Sequence, residues 1–280
     1  MPEKDRSIQS ENARTAARRP PPEPEPIGLT ILYEDEHLLA VDKPAATVVH
    51  PTYKNWSGTL LNGLLWHLRE SARGRQGNLE PRIVTRLDKG TSGIVLVAVT
   101  AEIHARIQRD VAARRVRKEY LAIVRGTPDP ACGSIALPLA RSTVDRRRVV
   151  VDPSGQESRT DYELLYQSRD MSLVRCELVT GRTHQIRVHM AARGWPLVGD
   201  AVYGVADERI SRQALHAWRV TLRHPMLQQV LEFEATPPAD ICSLLATEAE
   251  DCDLWSRALS DARGLAPRLV GRNRSADRSG

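Results

Sequence analysis

The stretch that decides the reading is Arg82-Ile-Val-Thr-Arg86-Leu87-Asp88-Lys89-Gly90-Thr91-Ser92-Gly93-Ile-Val-Leu-Val97. Ile94–Val99 is an unbroken apolar run, the pattern of a strand covered on both faces. An Arg-Leu-Asp directly before a tight Gly/Thr/Ser turn holds Asp88 at the mouth of that rigid strand. Such a loop is a good place for a reactive carboxylate. The same residues suit an ordinary Asx turn from Asp88 onto Gly90 or Thr91.

Upstream, Leu29–Tyr33 and His37–Asp42 are two short extended runs around an acidic turn, a hairpin pattern closed by Lys43-Pro44. Leu61, Leu64, Leu65 and Leu68 then recur with helical spacing after a candidate N-cap, Thr59 or Ser57. Residues 71–81 read as an exposed Gly- and Arg-rich loop. Downstream, residues 101–113 predict an amphipathic helix with Ile103, Ile107 and Val111 on one side. Tyr120–Val124 and Leu173–Val179 read as strands. Thr183 is expected to cap a helix of about ten residues that Gly194 ends. Ala217–Leu222 and Val230–Ala235 predict two more strands around His224-Pro225.

Strands outnumber helices, and neither the βαβ rhythm of a doubly wound fold nor a nucleotide-binding glycine motif is present. The expected fold is α+β: a single catalytic domain over 27–262, with a large mixed, mainly antiparallel sheet flanked by helices and loops and an active cleft across the sheet. Residues 1–26 carry five Lys/Arg and five Asp/Glu, end in a Pro-rich run, and read as a disordered tail. Residues 263–280 hold five Arg and one Asp and read as a second, Arg-rich tail. The chain's net charge is +5, so the middle carries only about +1 and any polyanion site there depends on local clustering.

Cys132, Cys176, Cys242 and Cys252 form no CxxC, which argues against a zinc knuckle or disulfide framework. The N-terminus is charged rather than apolar, and no run approaches the ~18 apolar residues of a membrane span. A cytoplasmic protein without membrane or metal partners, acting as a monomer, is the expectation.

Three segments besides Asp88 carry chemistry. In Gly181-Arg182-Thr183-His184-Gln185-Ile186-Arg187-Val188-His189, Arg182 precedes a helix start and Arg187 lies in its first turns, where anions are favoured. His184 and His189 are five apart, which does not suit a helical metal pair, and ordinary hydrogen-bonding histidines are expected. Arg114-Arg115-Val116-Arg117-Lys118-Glu119-Tyr120 and Arg146-Arg147-Arg148 are basic clusters; solvated surface and phosphate contact both fit them.

Together these segments resemble a family. Thr85 to Gly93 resembles the signature of RluA-type RNA pseudouridine synthases. Leu39 to Pro44, Val48 to Pro51, Lys118-Glu119-Tyr120, Gly181 to His189, Val198-Gly199-Asp200 with Tyr203-Gly204, and Leu215-His216-Ala217 follow in the family's order, covering about residues 29–240. The resemblance implies isomerisation of uridine in RNA without a cofactor. Asp88 would be the essential carboxylate, Tyr120 the ring near the target uracil, and Arg187 the partner that pairs with and orients the aspartate. Arg86 would help fill the space of the displaced base, and Ile186 would wall the pocket. Leu87, Arg182, Thr183 and His184 would complete the substrate contacts. Thr85 stands where His is common and Gly90 where an acidic residue is common; neither belongs to the Asp-Tyr-Arg trio. Ribosomal RNA is favoured over transfer RNA, because His50-Pro51 followed by Gly58-Thr59-Leu60-Leu61-Asn62 is closer to the ribosomal members. Two rival readings are a non-catalytic RNA-binding factor and a hydrolase with a second carboxylate. A binder has no need of the trio, and no second acidic residue sits in a comparable motif.

Truncating the chain at Arg263 is expected to flatten the salt dependence of RNA binding, measured as the slope of log K against log salt.

Overall fold

A computed structural model describes residues 21–52, 55–71, 79–246, 255, 258–260 and 262. The hairpin pattern forms β1 (Thr30–Glu34) and β2 (Leu38–Lys43), paired antiparallel. The apolar run becomes β4 (Ser92–Ala98), every residue of it buried, with the two-residue β3 (Arg82–Ile83) against it. The remaining main strands are β5 (Arg117–Arg125), β9 (Thr160–Gln167), β10 (Met171–Leu178), β11 (Leu215–Arg223) and β12 (Val230–Glu234). Short strands β6 (Cys132–Ile135), β7 (Leu139–Arg141) and β8 (Val149–Val151) lie between β5 and β9.

Ten strands share one sheet in the order β1-β2-β4-β11-β5-β10-β9-β6, with β12 on β11 and β3 on β4. Only the β4–β11 pairing is parallel among the described residues, so the sheet is mixed and mainly antiparallel, as expected. β7 and β8 form a separate hairpin.

Helices α1 (Leu60–Glu70) and α2 (Ala101–Ala112) pack on the β2/β4 end. Helices α3 (Gln185–Ala192) and α4 (Ala239–Ala246) pack on the β5/β10/β11 region. Thr59 caps α1 in a reciprocal capping box with Asn62, so Thr59 rather than Ser57 is the N-cap. The buried face of α1 is Leu60, Leu64 and Leu68; Leu61 and Leu65 are only half-buried.

Two sequence expectations need correction. Glu23 and Glu25, which composition puts in the tail, are tied to α1. Asn62 Nδ2 donates to the Glu23 carbonyl (2.7 Å), Glu25 N to the Asn62 carbonyl (3.0 Å), and Gly58 N to the Glu25 carboxylate (2.9 Å). Partners 30 or more residues away hold these groups, which local composition does not register. The second concerns Thr183, which does not cap α3. His184 is the N-cap, in the left-handed region (φ 55°), with no side-chain cap bond. The Gln185 amide braces the turn before the helix instead of capping it. Its Oε1 accepts from Arg182 N (3.0 Å) and its Nε2 donates to the Arg159 carbonyl (2.9 Å). The segments 1–20, 72–78 and 263–280 lie outside the described residues, as does Cys252. No helix of the described residues is long and apolar enough to cross a membrane.

The junction of β4 and β11 positions everything that follows. At Gly93 (φ +106°) an added Cβ would lie 2.2 Å from the Ala217 carbonyl oxygen, so only glycine lets the two backbones approach. Beside it the buried His216 joins three elements. Its Nδ1 meets Ser92 Oγ (3.0 Å) and its Nε2 meets the Ala235 carbonyl (2.9 Å). A carbonyl only accepts, so Nε2 carries the proton and Nδ1 accepts from the serine.

Burial pushes the pKa of His216 down from 6.5 to about 4. A depressed folded pKa gives stability that is complete above the unfolded value and is lost as pH falls toward the folded one. We expect His216 to contribute on the order of 3 kcal/mol to acid destabilisation between pH 6.5 and about 4. Urea unfolding across that range should show a shallower pH slope for His216→Gln than for the wild type.

Candidate active site

Asp88 lies in the loop between β3 and β4. The Asp88 backbone carbonyl, not its carboxylate, takes the turn hydrogen bond from Thr91 N (3.0 Å), so the side chain is not spent on an Asx turn. Two cations hold the backbone of this loop. Lys43, fully buried at the end of β2, donates to the carbonyls of Pro44 (2.8 Å), Thr47 (3.0 Å) and Lys89 (3.4 Å). Arg212 Nη1 donates to the Gly90 carbonyl (2.9 Å) while its other nitrogens grip Asp240. Burial, with the Arg212 charge adding to it, pulls the Lys43 pKa down to about 8; Asp88 and Asp42 pull the other way.

The carboxylate of Asp88 faces the first turn of α3. Arg187 Nη1 donates to Asp88 Oδ2 at 2.9 Å. The rest of the guanidinium makes a two-pronged contact with Asp200, Nε to Oδ2 at 2.7 Å and Nη2 to Oδ1 at 2.9 Å. Arg187 therefore bridges two carboxylates in a geometry that a lysine, with its single point charge, does not reproduce. Burial alone would lower the pKa of Arg187. The hydrogen bonds and charge of Asp200, then of Asp88, outweigh that and raise it. Burial likewise works to raise the Asp200 pKa, but Arg187 and the backbone amides of Val202 and Tyr203 bring it below the usual range.

His184 Nδ1 lies 2.7 Å from Tyr203 Oη, and its Nε2 lies 3.7 Å from Asp88 Oδ2. Val149 N donates to the same Tyr203 oxygen (2.8 Å). With Val149 N donating to it, Tyr203 Oη has its own proton to give to His184 Nδ1, an arrangement that puts the imidazole proton on Nε2, toward Asp88. Burial lowers the His184 pKa, against the opposing pull of Asp88, so the ring is neutral near pH 7. The β7–β8 hairpin fixes Tyr203 by packing Leu139 and Val149 against it and Val188. Arg148, from the expected basic triplet, lies over the Tyr203 ring at 5.5 Å, whereas Arg147 is spent on Asp145.

Tyr120, on β5, is buried, and its hydroxyl has no hydrogen-bond partner among the described residues. Burial, reinforced by the Asp88 charge, raises its pKa, so it is a neutral phenol. An open pocket of about 350 Å³ joins these groups across β11, β5 and β10. Arg86, Leu87, Asp88, Tyr120, Arg182, His184, Ile186 and Arg187 all line it. Arg86 is exposed at the mouth and Arg182 is tied by Nε to the Glu157 carbonyl (3.1 Å). Thr183 is exposed and does not line the pocket, so the structure does not bring it together with the others. His189 is turned away, hydrogen-bonded to Thr160, Ser158 and the Leu137 carbonyl, as an ordinary structural histidine.

Thr91, Leu178, Gln185 and Leu215 also line the pocket without having been singled out from sequence. Asp200 and Tyr203 were visible only as parts of the Val198 to Gly204 block, with no role attached. Their signal was an acid and a tyrosine three apart behind a glycine, and nothing local ties that to Arg187. The two departures have structural explanations. Thr85 Oγ1 accepts from Leu96 N (2.9 Å). At Gly90 an added Cβ would lie 2.5 Å from Gln213 Oε1, so the Gln213 amide occupies the room a side chain would need.

Comparison with known proteins gives the family. The profile of the RNA pseudouridylate synthase family matches residues 37–192. The ribosomal large subunit pseudouridine synthase D of Nitrosomonas europaea is 43% identical over 230 residues, 79% of this chain and 65% of that protein. The chain thus spans just under two thirds of that relative. The synthase D of Zymomonas mobilis is 41% identical over 230 residues, 78% of this chain and 72% of that protein. Among solved structures, human RNA pseudouridylate synthase domain containing 1 superposes with a TM-score of 0.60 at 28% identity, covering 83% of this chain and 95% of that one.

Replacing Asp200 by Asn leaves the buried guanidinium half-compensated. We expect a loss of about 3–5 kcal/mol in urea unfolding at neutral pH, the scale for breaking a buried ion pair from one side. The depressed pKa of Asp200 means that this stabilisation is present above the ordinary aspartate range near 3.9 and fades below it. The gap between wild type and variant should therefore close as pH falls below about 4.

Proposed function

The chain belongs to the RNA pseudouridylate synthase family, and we propose that it converts uridines of large-subunit ribosomal RNA to pseudouridine with Asp88 as the reacting carboxylate. The observation that carries this reading is Asp88 held by Arg187 in a pocket beside the partnerless hydroxyl of Tyr120.

The reaction breaks the N1–C1′ bond, turns the uracil and joins C5 to C1′; the proton leaves C5 and N1 gains one. Atoms and oxidation state balance within the nucleotide, so no co-reactant, metal or energy source is required. The target must leave the base stack, which costs a few kcal/mol. In the pocket, Tyr120 offers a ring face and a neutral hydroxyl to the flipped base. Leu87 and Ile186 wall it with apolar surface. Arg86, exposed at the mouth and without a hydrogen-bond partner among the described residues, is placed to occupy the space the base vacates. Arg182 and His184 form the polar rim.

Asp88 acts either on C1′ as a nucleophile or on a ribose proton as a base. Both routes need a carboxylate fixed in direction, and the doubly anchored Arg187 supplies that. The large-subunit substrate is supported by the synthase D relatives, named for the ribosomal large subunit, and by the His50 to Asn62 stretch. The catalytic unit is residues 27–262, a monomer working in the cytoplasm where that RNA is made.

The test is tritium release from RNA labelled at C5 of uridine, using deproteinised ribosomal and transfer RNA. Wild-type protein is expected to release tritium from the ribosomal RNA. Asp88→Asn should be slower by on the order of a thousandfold or more, as when an enzyme loses its nucleophile. Release from transfer RNA alone would reassign the substrate, and equal release by the variant would remove Asp88 from the chemistry.

A further inference from the structure

Lys118 is the odd member of the basic cluster that precedes Tyr120. Two of its neighbours are neutralised: Arg115 pairs with Asp110 (2.5 Å), and Arg117 pairs with Glu119 (3.0 Å) and Glu177 (2.9 Å), while Arg114 is exposed. Lys118 is 8% exposed, yet no hydrogen bond or ion pair reaches its ammonium among the described residues. Burial lowers its pKa, and no nearby charge contributes to the shift. A lysine whose stem is buried and whose ammonium emerges without an anion is held in one place with its donors open.

The direction of the side chain supplies the use. Lys118 and Tyr120 are two residues apart on β5, so they leave the sheet on the same face, about 7 Å apart along the strand. The Lys118 Nζ lies 3.4 Å from where a Cβ on Gly181 would sit. Gly181 is exposed and next to Arg182, which lines the pocket. The ammonium therefore ends at the rim of the cleft, beneath a residue that has no side chain to cover it. Across the sheet no carboxylate competes, because Glu119 points to the opposite face and is held by Arg175 (2.9 Å) and Arg219 (2.7 Å).

We propose that Lys118 is a preformed site for one phosphodiester of the RNA backbone, the phosphate flanking the nucleotide whose base sits against Tyr120. The site rests on the reading of the pocket as an RNA-modifying centre. Its ligand is the phosphate of a chain whose base is already placed by Tyr120. The stem of Lys118 is buried while its unpaired ammonium still reaches solvent beside Gly181, so a phosphate can approach it there.

The test uses the full chain and transcribed large-subunit ribosomal RNA, with Lys118→Met beside the wild type. Arg106→Met, which removes a cation already paired with Glu102 on α2, serves as the control. For Lys118→Met the slope of log K against log salt is expected to shrink by about 0.7 to 0.9, one phosphate contact. KM should rise about tenfold, the scale of one charge-assisted hydrogen bond, with the loss in KM larger than any change in kcat. The same variant should melt at a higher temperature than the wild type, because an unpaired buried charge has been replaced by apolar volume. An unchanged salt slope would overturn the proposal, and so would a lower melting temperature with KM unchanged, the signature of a structural lysine. Acetylation of the wild type, read at Lys118 by mass spectrometry, needs no variant. Protection by RNA is expected, and equal labelling with and without RNA would also overturn it. Binding slopes do not depend on turnover, so a wild type that bound RNA without releasing tritium would refute the isomerase reading and leave the Lys118 result to be judged by itself.

Discussion

The structure turns on a single guanidinium shared by two carboxylates. Arg187 spends two of its nitrogens on Asp200 and one on Asp88. The unequal split matters. The contact to Asp200 is two-pronged and nearly solvent-free, so it fixes the plane of the fork. The contact to Asp88 is single and opens on the pocket, with a quarter of that side chain exposed. The buried pair holds the guanidinium still, and the guanidinium then aims the Asp88 carboxylate. Without Asp200 the same Arg187–Asp88 pair would have to set its own direction in a half-wet site, where ion pairs are worth little and side-chain entropy works against them.

For that aim to be useful the Asp88 loop must itself be rigid, and its rigidity comes from buried cations acting on backbone carbonyls. A loop over a sheet cannot satisfy its own polar groups as a helix does. Lys43 gathers three carbonyls from two separate segments, one of them Lys89 beside Asp88. Arg212 takes the next carbonyl, Gly90, and is kept in place by Asp240. Gly93 and His216 then lock the far end of the loop to β11. The loop is thus pinned at residues 89, 90, 92 and 93, which leaves Asp88 little freedom except about its own side-chain bonds.

Most of this was legible where the signal is local. The apolar run of β4, the β1–β2 hairpin, the amphipathic α2 and the β11–β12 hairpin all emerged from patterns within about ten residues. The motif blocks placed Asp88, Tyr120 and Arg187 in one site before any coordinates did. Where sequence reasoning stopped, the controlling partner was distant in the chain. Thr183 looked like the better cap for α3, because a hydroxyl just before a helix usually is; the amide of Gln185, reaching back to residues 159 and 160, displaced it. Asp200 gained its meaning only when α3 and the loop after it were packed together. Strands β6 to β9 were poorly visible as well. They are short or half-exposed, and their alternation is weak.

Charge completes the argument, because the middle of the chain has almost no net charge to spend on a polyanion. Many of its arginines are committed to carboxylates: Arg117, Arg175 and Arg219 around Glu119, Arg187 to Asp200, Arg212 to Asp240. Such committed cations shape the sheet and the loop, and they have little left for a phosphate. Two cations at the cleft are of a different kind, exposed Arg86 at the mouth and buried Lys118 at the rim, each without an anion of its own among the described residues. Violating the rule that buried charges be paired is tolerated where the missing partner arrives with the substrate. The +1 of the central region therefore says little about the cleft itself, where Arg86 and Lys118 keep their charge free of carboxylates among the described residues.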